Sequence, residues 1–387
     1  MMSNSTSSSP NSQMLGLLAV VSTMVLAVGA LVAPERVWSN LLLVGFYLVT
    51  LSLGGALFIA LAYICNSFWN VGFRRIPEAM TGLLVPASIG LLAVLAVGRQ
   101  QYAWHPHGGG EAGTFWFKEM WTTPSFWMIR AVVYIAIWAI LSRALVAVSR
   151  RQDQSGSVAL THMNKRLSAI FLIAYAITFS LASFDWLMLL EPMWFSTVWG
   201  VYNFAGMVQA TLAVIVILAI VLRKRGPLRS AFTDDHLHDL GKLLLGFSCF
   251  WMYIWFSQYM LIWYTNMPEE TSYFMLRTQG PWAPLMVINI VLNWIAPFFI
   301  LLPRPCKRSE SVMIKVAVVV LVGRWVDLYL MVLPSTIGTT PQFGIWEAAS
   351  VGLLLGAFGW LFYRSFAKAP PVPINDPLLS ESLHYHC

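Results

Sequence analysis

The sequence contains few charged residues: Asp, Glu, Lys and Arg make up 11% of its 387 residues, whereas 58% are hydrophobic. Soluble globular domains carry roughly 25% charged residues, so this composition excludes an ordinary water-soluble fold. It also excludes an intrinsically disordered chain, which is poor in apolar residues and rich in charge. A transmembrane β-barrel alternates apolar and polar residues, whereas the apolar runs here continue for about 20 residues. The composition therefore predicts an all-α, polytopic membrane protein.

The sequence also lacks the motifs that hold redox cofactors. Its four cysteines form neither a CxxC pair nor a CxxCH haem-attachment motif, which argues against iron–sulfur clusters and c-type haem on this chain. None of the seven histidines lies deep in an apolar run, whereas a haem b inside the membrane needs axial histidines at that depth. No glycine-rich nucleotide-binding motif is present. We therefore expect no cofactor to be bound directly by this chain.

Two histidine pairs are candidate metal ligands. His105 and His107 could hold a metal together with Glu111, but a solvated loop is the favoured interpretation. His236 and His238 lie in an acidic stretch, and this pattern favours the capped N-terminus of a helix. No metal site is predicted.

The apolar runs are long enough to cross a membrane ten times. At 1.5 Å per residue, about 20 apolar residues span roughly 30 Å of hydrocarbon. We predict a Ser-rich N-terminal tail at 1–13, a transmembrane domain at 14–366 and a C-terminal tail at 367–387. The predicted spans are 14–33, 38–69, 77–98, 124–149, 166–190, 193–222, 238–265, 281–303, 312–333 and 342–364.

The net charge of +7 comes from one side of the predicted membrane. Of the 24 Lys and Arg residues, 18 fall on the side of the two termini and four fall on the other side. Because basic loops stay on the cytoplasmic side, both termini are expected in the cytoplasm. The charge therefore indicates topology and predicts no nucleic-acid partner.

Five charged residues stand out in the outer half of the predicted spans, away from the basic inner ends: Arg130, Asp185, Arg324, Asp327 and Glu347. Arg324 and Asp327 are three residues apart on one helix face, so we expect them to pair. Because a charge inside the membrane is costly, the five are expected to face the bundle interior as one cluster of three carboxylates and two guanidiniums. We infer that one carboxylate is poorly compensated and able to exchange a proton; a static ion-pair network is the alternative.

Three stretches of the sequence carry a family resemblance. They are ASFDWLMLLEPMWFSTVWGVYNFAG at 182–206, HDLGKLLLGFSCFWMYIWFSQYMLIWYTNMPEETSYF at 238–274, and GRWVDLYLMVLP at 323–334 together with FGIWEA at 343–348. In them the chain resembles the F subunit of bacterial alternative complex III, a quinol:electron-acceptor oxidoreductase whose two large membrane subunits are NrfD-like (polysulfide-reductase type). The likeness covers most of the chain from the fourth span onward. It implies an NrfD-like helical bundle in the bacterial inner (cytoplasmic) membrane.

The resemblance also implies partners and candidate site residues. In that family the c-type haems lie on multihaem cytochrome c subunits and the iron–sulfur clusters on the B subunit. Menaquinol or ubiquinol is oxidised mainly at the sister NrfD-like C subunit, and the F subunit is proposed to take part in proton translocation. The matching motifs supply as proton-path candidates Asp185, Glu191, Arg324, Asp327 and Glu347, to which the charge pattern adds Arg130.

The sequence therefore predicts a scaffold and proton-path subunit of a quinol-oxidising respiratory or photosynthetic complex. Two alternatives stay open. In one, the chain is a second quinone-binding subunit of the same complex, with a site lined by aromatic residues and the same carboxylates. In the other, it is a stand-alone secondary transporter, for which broken helices and binding residues near the midplane are typical.

Overall fold

The computed structural model describes residues 10–102, 120–191 and 194–386, and these residues form helices and loops without a β-strand. Within this part of the chain, ten helices are long and apolar enough to cross a membrane. The predicted all-α, ten-span bundle is therefore confirmed. In chain order the ten helices are Asn11–Val32 (α1), Pro34–Ile64 (α2), Arg75–Val97 (α3), Pro124–Ser155 (α4), Val158–Leu190 (α5), Trp199–Lys224 (α6), Asp234–Thr265 (α7), Gly280–Leu301 (α8), Glu310–Ile337 (α9) and Ile345–Phe366 (α10).

Several helices extend beyond the predicted spans. The helix α4 runs to Ser155 and α5 begins at Val158, so a tight turn replaces the longer loop that the apolar runs predict. Gly156 in this turn has a φ of 62°, the left-handed conformation that glycine adopts readily at the end of a helix. Hydropathy shows where a helix enters hydrocarbon, whereas the helical hydrogen-bond pattern continues into water.

The helices α2, α6 and α9 form the buried centre of the bundle, whereas α1 lies at its periphery and packs mainly against α10. Small residues allow the close approaches. A Cβ at Gly54 of α2 would overlap the Thr211 hydroxyl of α6, and a Cβ at Gly356 of α10 would lie 2.6 Å from the backbone nitrogen of Ala19 in α1. Such contacts are typical of membrane helices, whose association depends on close packing.

The helices α8 and α9 each contain an irregularity. The helix α8 includes one π-helical turn at Val291–Ile295, and α9 contains Pro334 near its C-terminal end. Because proline has no N–H, the carbonyl of Leu330, four residues earlier, lacks its helical donor. Both irregularities lie beside buried polar side chains.

The C-terminal tail packs against one end of the bundle. We call this end the Glu78 end, and the opposite end the Glu191 end, after a residue that each contains. Asp376 of the tail accepts a hydrogen bond from Arg74 at 2.6 Å. Segment 367–386 of the predicted tail is therefore part of the folded structure at the Glu78 end.

Gly98, directly after α3, provides a test of the helix packing. A Cβ at Gly98 would overlap the indole of Trp38, whose Nε1 donates a hydrogen bond to the carbonyl of Val94 at 2.8 Å. We expect Gly98→Ala to lower the free energy of unfolding by about 1–3 kcal/mol, because overpacking displaces a rigid side chain. Thermal unfolding of the purified protein in detergent measures the change.

Gly90→Ala, in α3 itself, is the matched control. Among the described residues, no atom outside its own helical turn lies within 4 Å of a Cβ at Gly90, and alanine is a better helix former than glycine. We therefore expect no loss of stability in this variant. Equal unfolding temperatures for the two variants would contradict the contact between Gly98 and Trp38.

Candidate functional site

Asp327 is a buried carboxylate at which four helices meet; it is 1% exposed. Its oxygens accept hydrogen bonds from Arg324 of α9 at 2.5 Å, Tyr202 of α6, Trp251 of α7 at 3.3 Å and Asn289 of α8 at 3.1 Å. Four donors satisfy the acceptor sites of a carboxylate, so the arrangement suits the ionised form. The predicted pairing of Arg324 with Asp327 is confirmed.

A glycine in α6 makes room for the guanidinium of Arg324. A Cβ at Gly206 would overlap Nη1 of Arg324. Nη2 donates to Oδ1 of Asn203, also in α6, at 3.2 Å. Nε is buried without a hydrogen-bond partner among the described residues. The small residue at 206 therefore allows the ion pair to lie between α6 and α9.

A row of hydrogen-bonded polar side chains leads from Asp327 towards the middle of the bundle. Asn289 donates to Asp327, and Asn293 donates to the amide oxygen of Asn289 at 2.7 Å. Gln209 then donates to the backbone carbonyl of Asn293 at 2.6 Å and to the Ser248 hydroxyl at 2.9 Å. Asn293 lies in the π-helical turn, where the regular backbone hydrogen-bond pattern is interrupted. The row connects Asp327 to Ser248 through polar groups alone.

Arg277, near the Glu191 end, is a second buried charge. It belongs to the short helix Pro268–Thr278 and is 0% exposed. Its Nε donates to the carbonyl of Leu330 at 2.7 Å. This is the carbonyl that Pro334 leaves without a backbone donor. The guanidinium of Arg277 therefore supplies a hydrogen bond that α9 cannot make for itself.

Glu191 is the acidic partner of Arg277. Nη1 of Arg277 donates to Oε1 of Glu191 at 3.0 Å, and the Ser335 hydroxyl donates to the same oxygen at 2.8 Å. The ring of Tyr273 lies 3.5 Å from the centre of the guanidinium, and burial raises the pKa of its phenol above the ordinary value. The Glu191 side chain is 21% exposed, so this pair connects the interior with the surface.

A small cavity lies between Asp327 and Arg277. Its volume of about 10 Å³ is near the minimum that holds one water molecule. Asn289 and Gln258 also line it, and the amide nitrogen of Gln258 is buried without a hydrogen-bond partner among the described residues. Because buried polar groups normally have a partner, the cavity suits a water that joins the two sites.

Asp185 forms a separate ion pair with Arg130, between α5 and α4. Arg130 binds both carboxylate oxygens, Oδ2 through Nε at 3.0 Å and Oδ1 through Nη2 at 2.9 Å. Trp121 and Tyr134 donate to the same carboxylate at 2.9 and 3.1 Å. Trp127 donates to the backbone carbonyl of Asp185 at 3.0 Å. This saturated, bidentate pair is suited to fixing the two helices together.

Glu347, in the first turn of α10, pairs with Arg36 in the first turn of α2. Arg36 donates to the two carboxylate oxygens at 2.8 and 2.5 Å. Asn40, one turn further along α2, donates to Oε1 at 3.0 Å. This group joins the N-terminal ends of two helices that are far apart in sequence.

The structure corrects the predicted charge balance. The six candidate residues lie in four separate ion pairs, and in each pair a guanidinium nitrogen lies within 3.0 Å of a carboxylate oxygen. Arg36 and Arg277, which the sequence assigns to loops, supply the missing positive charges for Glu347 and Glu191. The predictions of a single cluster and of one poorly compensated carboxylate are therefore wrong. The expected burial of the five membrane charges is confirmed.

Two signals in the sequence identify Arg36 and Arg277 as candidate partners for the buried carboxylates. Arg36 and Asn40 are four residues apart, so both lie on one face once α2 is known to begin at Pro34. Arg277 follows a proline and two glutamates at a spacing typical of the first turn of a helix. That helix places Arg277 one turn after Tyr273, against which it stacks.

His236 caps α7, as predicted for the acidic stretch. The backbone N–H of Thr233 donates to Nδ1 of His236 at 3.1 Å within a capping box. His105, His107 and Glu111 lie outside the described residues. In the ranges that are described, no three His, Cys, Asp or Glu side chains form a group that could hold a metal ion.

One apolar cleft could take the quinone of the second-site alternative. It has a volume of about 420 Å³ and lies between α2, α6, α9 and α10. Only Tyr47 and Trp325 among its lining residues carry polar side-chain atoms, and the Tyr47 hydroxyl already donates to the Leu321 carbonyl at 3.0 Å. The cleft therefore suits an isoprenoid or acyl chain better than a quinone head group.

Neither a scan against protein-family models nor a search of curated proteins found a match for this chain. The structural conclusion rests on the ten long apolar helices and on the pairing of the buried charges among the candidate residues. The chain is a multi-pass helical membrane protein. The charged candidate residues in its interior form ion pairs, because an unpaired charge in hydrocarbon is energetically unfavourable.

Proposed function

We propose that this chain is an integral membrane subunit of a quinol:electron-acceptor oxidoreductase of the alternative complex III type. It carries no redox centre of its own, packs beside the NrfD-like C subunit and forms part of a proton path coupled to quinol oxidation. The haems and iron–sulfur clusters lie on the multihaem cytochrome c subunits and the B subunit. The proposed location is the bacterial inner membrane, with both termini in the cytoplasm.

One observation supports this proposal above the others: the three stretches that resemble the family meet at a single carboxylate. Asp327 of the third stretch accepts hydrogen bonds from Tyr202 of the first and Trp251 of the second. These residues are 125 and 76 positions away from Asp327 in sequence. A shared buried polar centre gives the three motifs a common physical role.

The proposed proton path has an entrance or exit at Glu191. From there it passes Arg277 and the small cavity to Asp327, and it continues along Asn289 towards Ser248. Water in the small cavity and the hydroxyls of Ser335 and Ser248 can pass a proton, whereas the amide and guanidinium side chains between them orient their neighbours by hydrogen bonds and hold charge in place. Asp327 is the carboxylate of the path that takes up a proton and, because its four donors favour the ionised form, releases it again.

Proton transfer at Asp327 changes its bonding to Arg324. A proton on the carboxylate neutralises its charge and weakens the hydrogen bond from Nη1, so that the hydrogen bond from Nη2 to Asn203 holds a larger share of the guanidinium. The π-helical turn of α8 and Pro334 of α9 lie close to the two ends of the path. Interrupted helices of this kind are positions at which a neighbouring subunit can alter helix geometry.

Asp327→Asn in the intact complex tests the proposed path. Asparagine keeps the size of the side chain but cannot take up a proton, so we expect fewer protons released per electron while quinol oxidation continues. The measurement is proton release against cytochrome reduction in sealed vesicles. Asp234→Asn is the matched control, because Asp234 is 57% exposed and pairs with Arg223 outside the path.

Unchanged proton stoichiometry in a normally assembled Asp327→Asn complex would count against the proton role and leave a scaffold subunit.

Purification of the native assembly identifies the subunit class separately. Because the C-terminal tail is packed, the affinity tag belongs before Met1. Companions with the masses of multihaem cytochrome and iron–sulfur subunits are expected.

The two alternatives predict different results from the same preparation. A homogeneous monomer or homodimer that takes up a solute in liposomes would favour a secondary transporter. Tight binding of a quinone-site inhibitor to this subunit alone would favour a second quinone site, with the 420 Å³ apolar cleft as the place of the isoprenoid chain.

A further inference from the structure

A cavity of about 280 Å³ opens at the Glu78 end, apart from the Asp327 and Arg277 sites. It lies between α3, α4 and the C-terminal end of α10. Three basic side chains line it: Arg143 and Arg150 of α4, and Lys368, which follows α10. Arg143 and Lys368 are exposed, so a ligand that approaches from the membrane surface can reach them.

These three basic side chains have no acidic partner in the described part of the chain, in contrast to six other basic residues at the same end. Arg150 also has a buried Nε without a hydrogen-bond acceptor among the described residues. The basic residues at the same end that do pair with a carboxylate are Arg74, Arg75, Arg223, Lys224, Lys242 and Arg308. The cavity therefore concentrates uncompensated positive charge.

Glu78, the one acidic side chain among the described residues that line the cavity, is already bound elsewhere. The carboxylate of Glu78 pairs with Arg75 and accepts a hydrogen bond from the Ser149 hydroxyl at 2.5 Å. Arg74 lies 3.4 Å from its other side. Glu78 is 2% exposed, so its charge is neutralised locally and leaves the field of the three basic side chains in place.

Hydroxyl groups provide neutral donors beside the positive charges. Ser142 lines the cavity and is 2% exposed, and its Oγ has no hydrogen-bond partner among the described residues. Ser365 lines the opposite wall, where a Cβ at Gly82 would overlap its hydroxyl. A buried hydroxyl without a partner indicates a bound acceptor, since such groups are normally satisfied.

The part of the wall farthest from the Glu78 end is apolar. It is formed by Leu84 and Val85 of α3 and by Ala139 of α4. A ligand that fits both the basic part and the apolar part of the cavity has a negatively charged head and an apolar tail. Basic pockets between membrane helices on the cytoplasmic side recognise such lipids.

We propose that this cavity binds the phosphate of an anionic phospholipid head group, with the acyl chains beside α3 and α4. Arg143, Arg150 and Lys368 neutralise the phosphate, and Ser142 donates a hydrogen bond to it. A free phosphate ion offers the same oxygens to the basic groups but gains nothing from the apolar wall. The inference stands on cavity residues that have no part in the proton path.

The test is lipid binding to the purified full chain in detergent, measured by native mass spectrometry. The probes are dioleoyl phosphatidylglycerol, dioleoyl phosphatidylcholine and inorganic phosphate. We expect the native chain to prefer phosphatidylglycerol. The double substitution R143Q/K368Q is expected to weaken its binding about 25-fold, because each Lys or Arg near a membrane surface contributes about fivefold to anionic lipid affinity.

R229Q/K315Q is the matched control, because it removes the same charges from exposed positions that do not line the cavity. We expect it to retain the affinity of the native chain, and R143K/K368R to restore most of the binding lost in the glutamine variant. Equal losses in R143Q/K368Q and R229Q/K315Q would overturn the site. Displacement of phosphatidylglycerol by an equal concentration of inorganic phosphate would overturn the lipid as its ligand.

Discussion

Asp185→Asn is expected to lower the free energy of unfolding by about 3–5 kcal/mol, because it leaves a buried guanidinium without its counter-charge. Arg130 is 7% exposed and binds both oxygens of Asp185. The amide of asparagine retains one acceptor but turns an NH₂ group towards donors of Arg130 and Tyr134. Unfolding in detergent, followed by loss of helical signal, measures the change.

Asp234→Asn is again the matched control, since it removes an ion pair of similar length at the surface. Asp234 lies 2.6 Å from Arg223 and is 57% exposed. Exposed ion pairs contribute about 0.2–1 kcal/mol, so the control is expected to unfold close to the native temperature. A similar small effect in both variants would show that the pair of Asp185 and Arg130 does not fasten α4 to α5.

Arg277→Met is expected to lower the free energy of unfolding by a similar amount, about 3–5 kcal/mol, although Glu191, the acidic partner of Arg277, is partly exposed. Glu191 is 21% exposed and can find water. The carbonyl of Leu330 is buried beside Pro334 and loses its donor entirely, and an unsatisfied buried acceptor alone costs about 1–3 kcal/mol. The same unfolding measurement applies, with Arg223→Met as the control, since the Arg223 side chain is 27% exposed and that of Arg277 is 0% exposed.

Pro334→Ala tests whether the missing hydrogen bond to the Leu330 carbonyl causes the loss of stability in Arg277→Met. Alanine restores the N–H that α9 needs for the Leu330 carbonyl, so it is expected to recover part of the stability lost in Arg277→Met. The recovery is expected to be about 1 kcal/mol, the net value of a hydrogen bond. Strictly additive effects of the two substitutions would contradict the role of Arg277 as a replacement donor.

The number and approximate positions of the helices follow from the sequence because hydrocarbon thickness imposes one length scale. Each of the ten apolar runs contains a helix of the structure. The ends are less predictable: α4 reaches Ser155 and α5 begins at Val158, since backbone hydrogen bonding continues a helix into water after hydropathy has ended.

The partners of the buried charges are harder to predict from the sequence than the helices are. Arg324 and Asp327 are predictable as partners because a helix brings residues three apart onto one face. Arg36 and Glu347 are 311 residues apart, and no local rule brings them together. Counting charges within spans alone therefore gave an excess of acid that the structure does not contain.

Sequence by itself determined the all-α class, the ten membrane helices and the burial of the five charged residues well inside the spans, because the cost of placing polar groups in hydrocarbon acts on every residue separately. Tertiary structure alone decided which acid meets which base, that Arg277 serves the carbonyl freed by Pro334, and that Asp327 joins four helices. These contacts depend on how helices distant in sequence pack and rotate against one another, and small residues such as Gly206 set that packing.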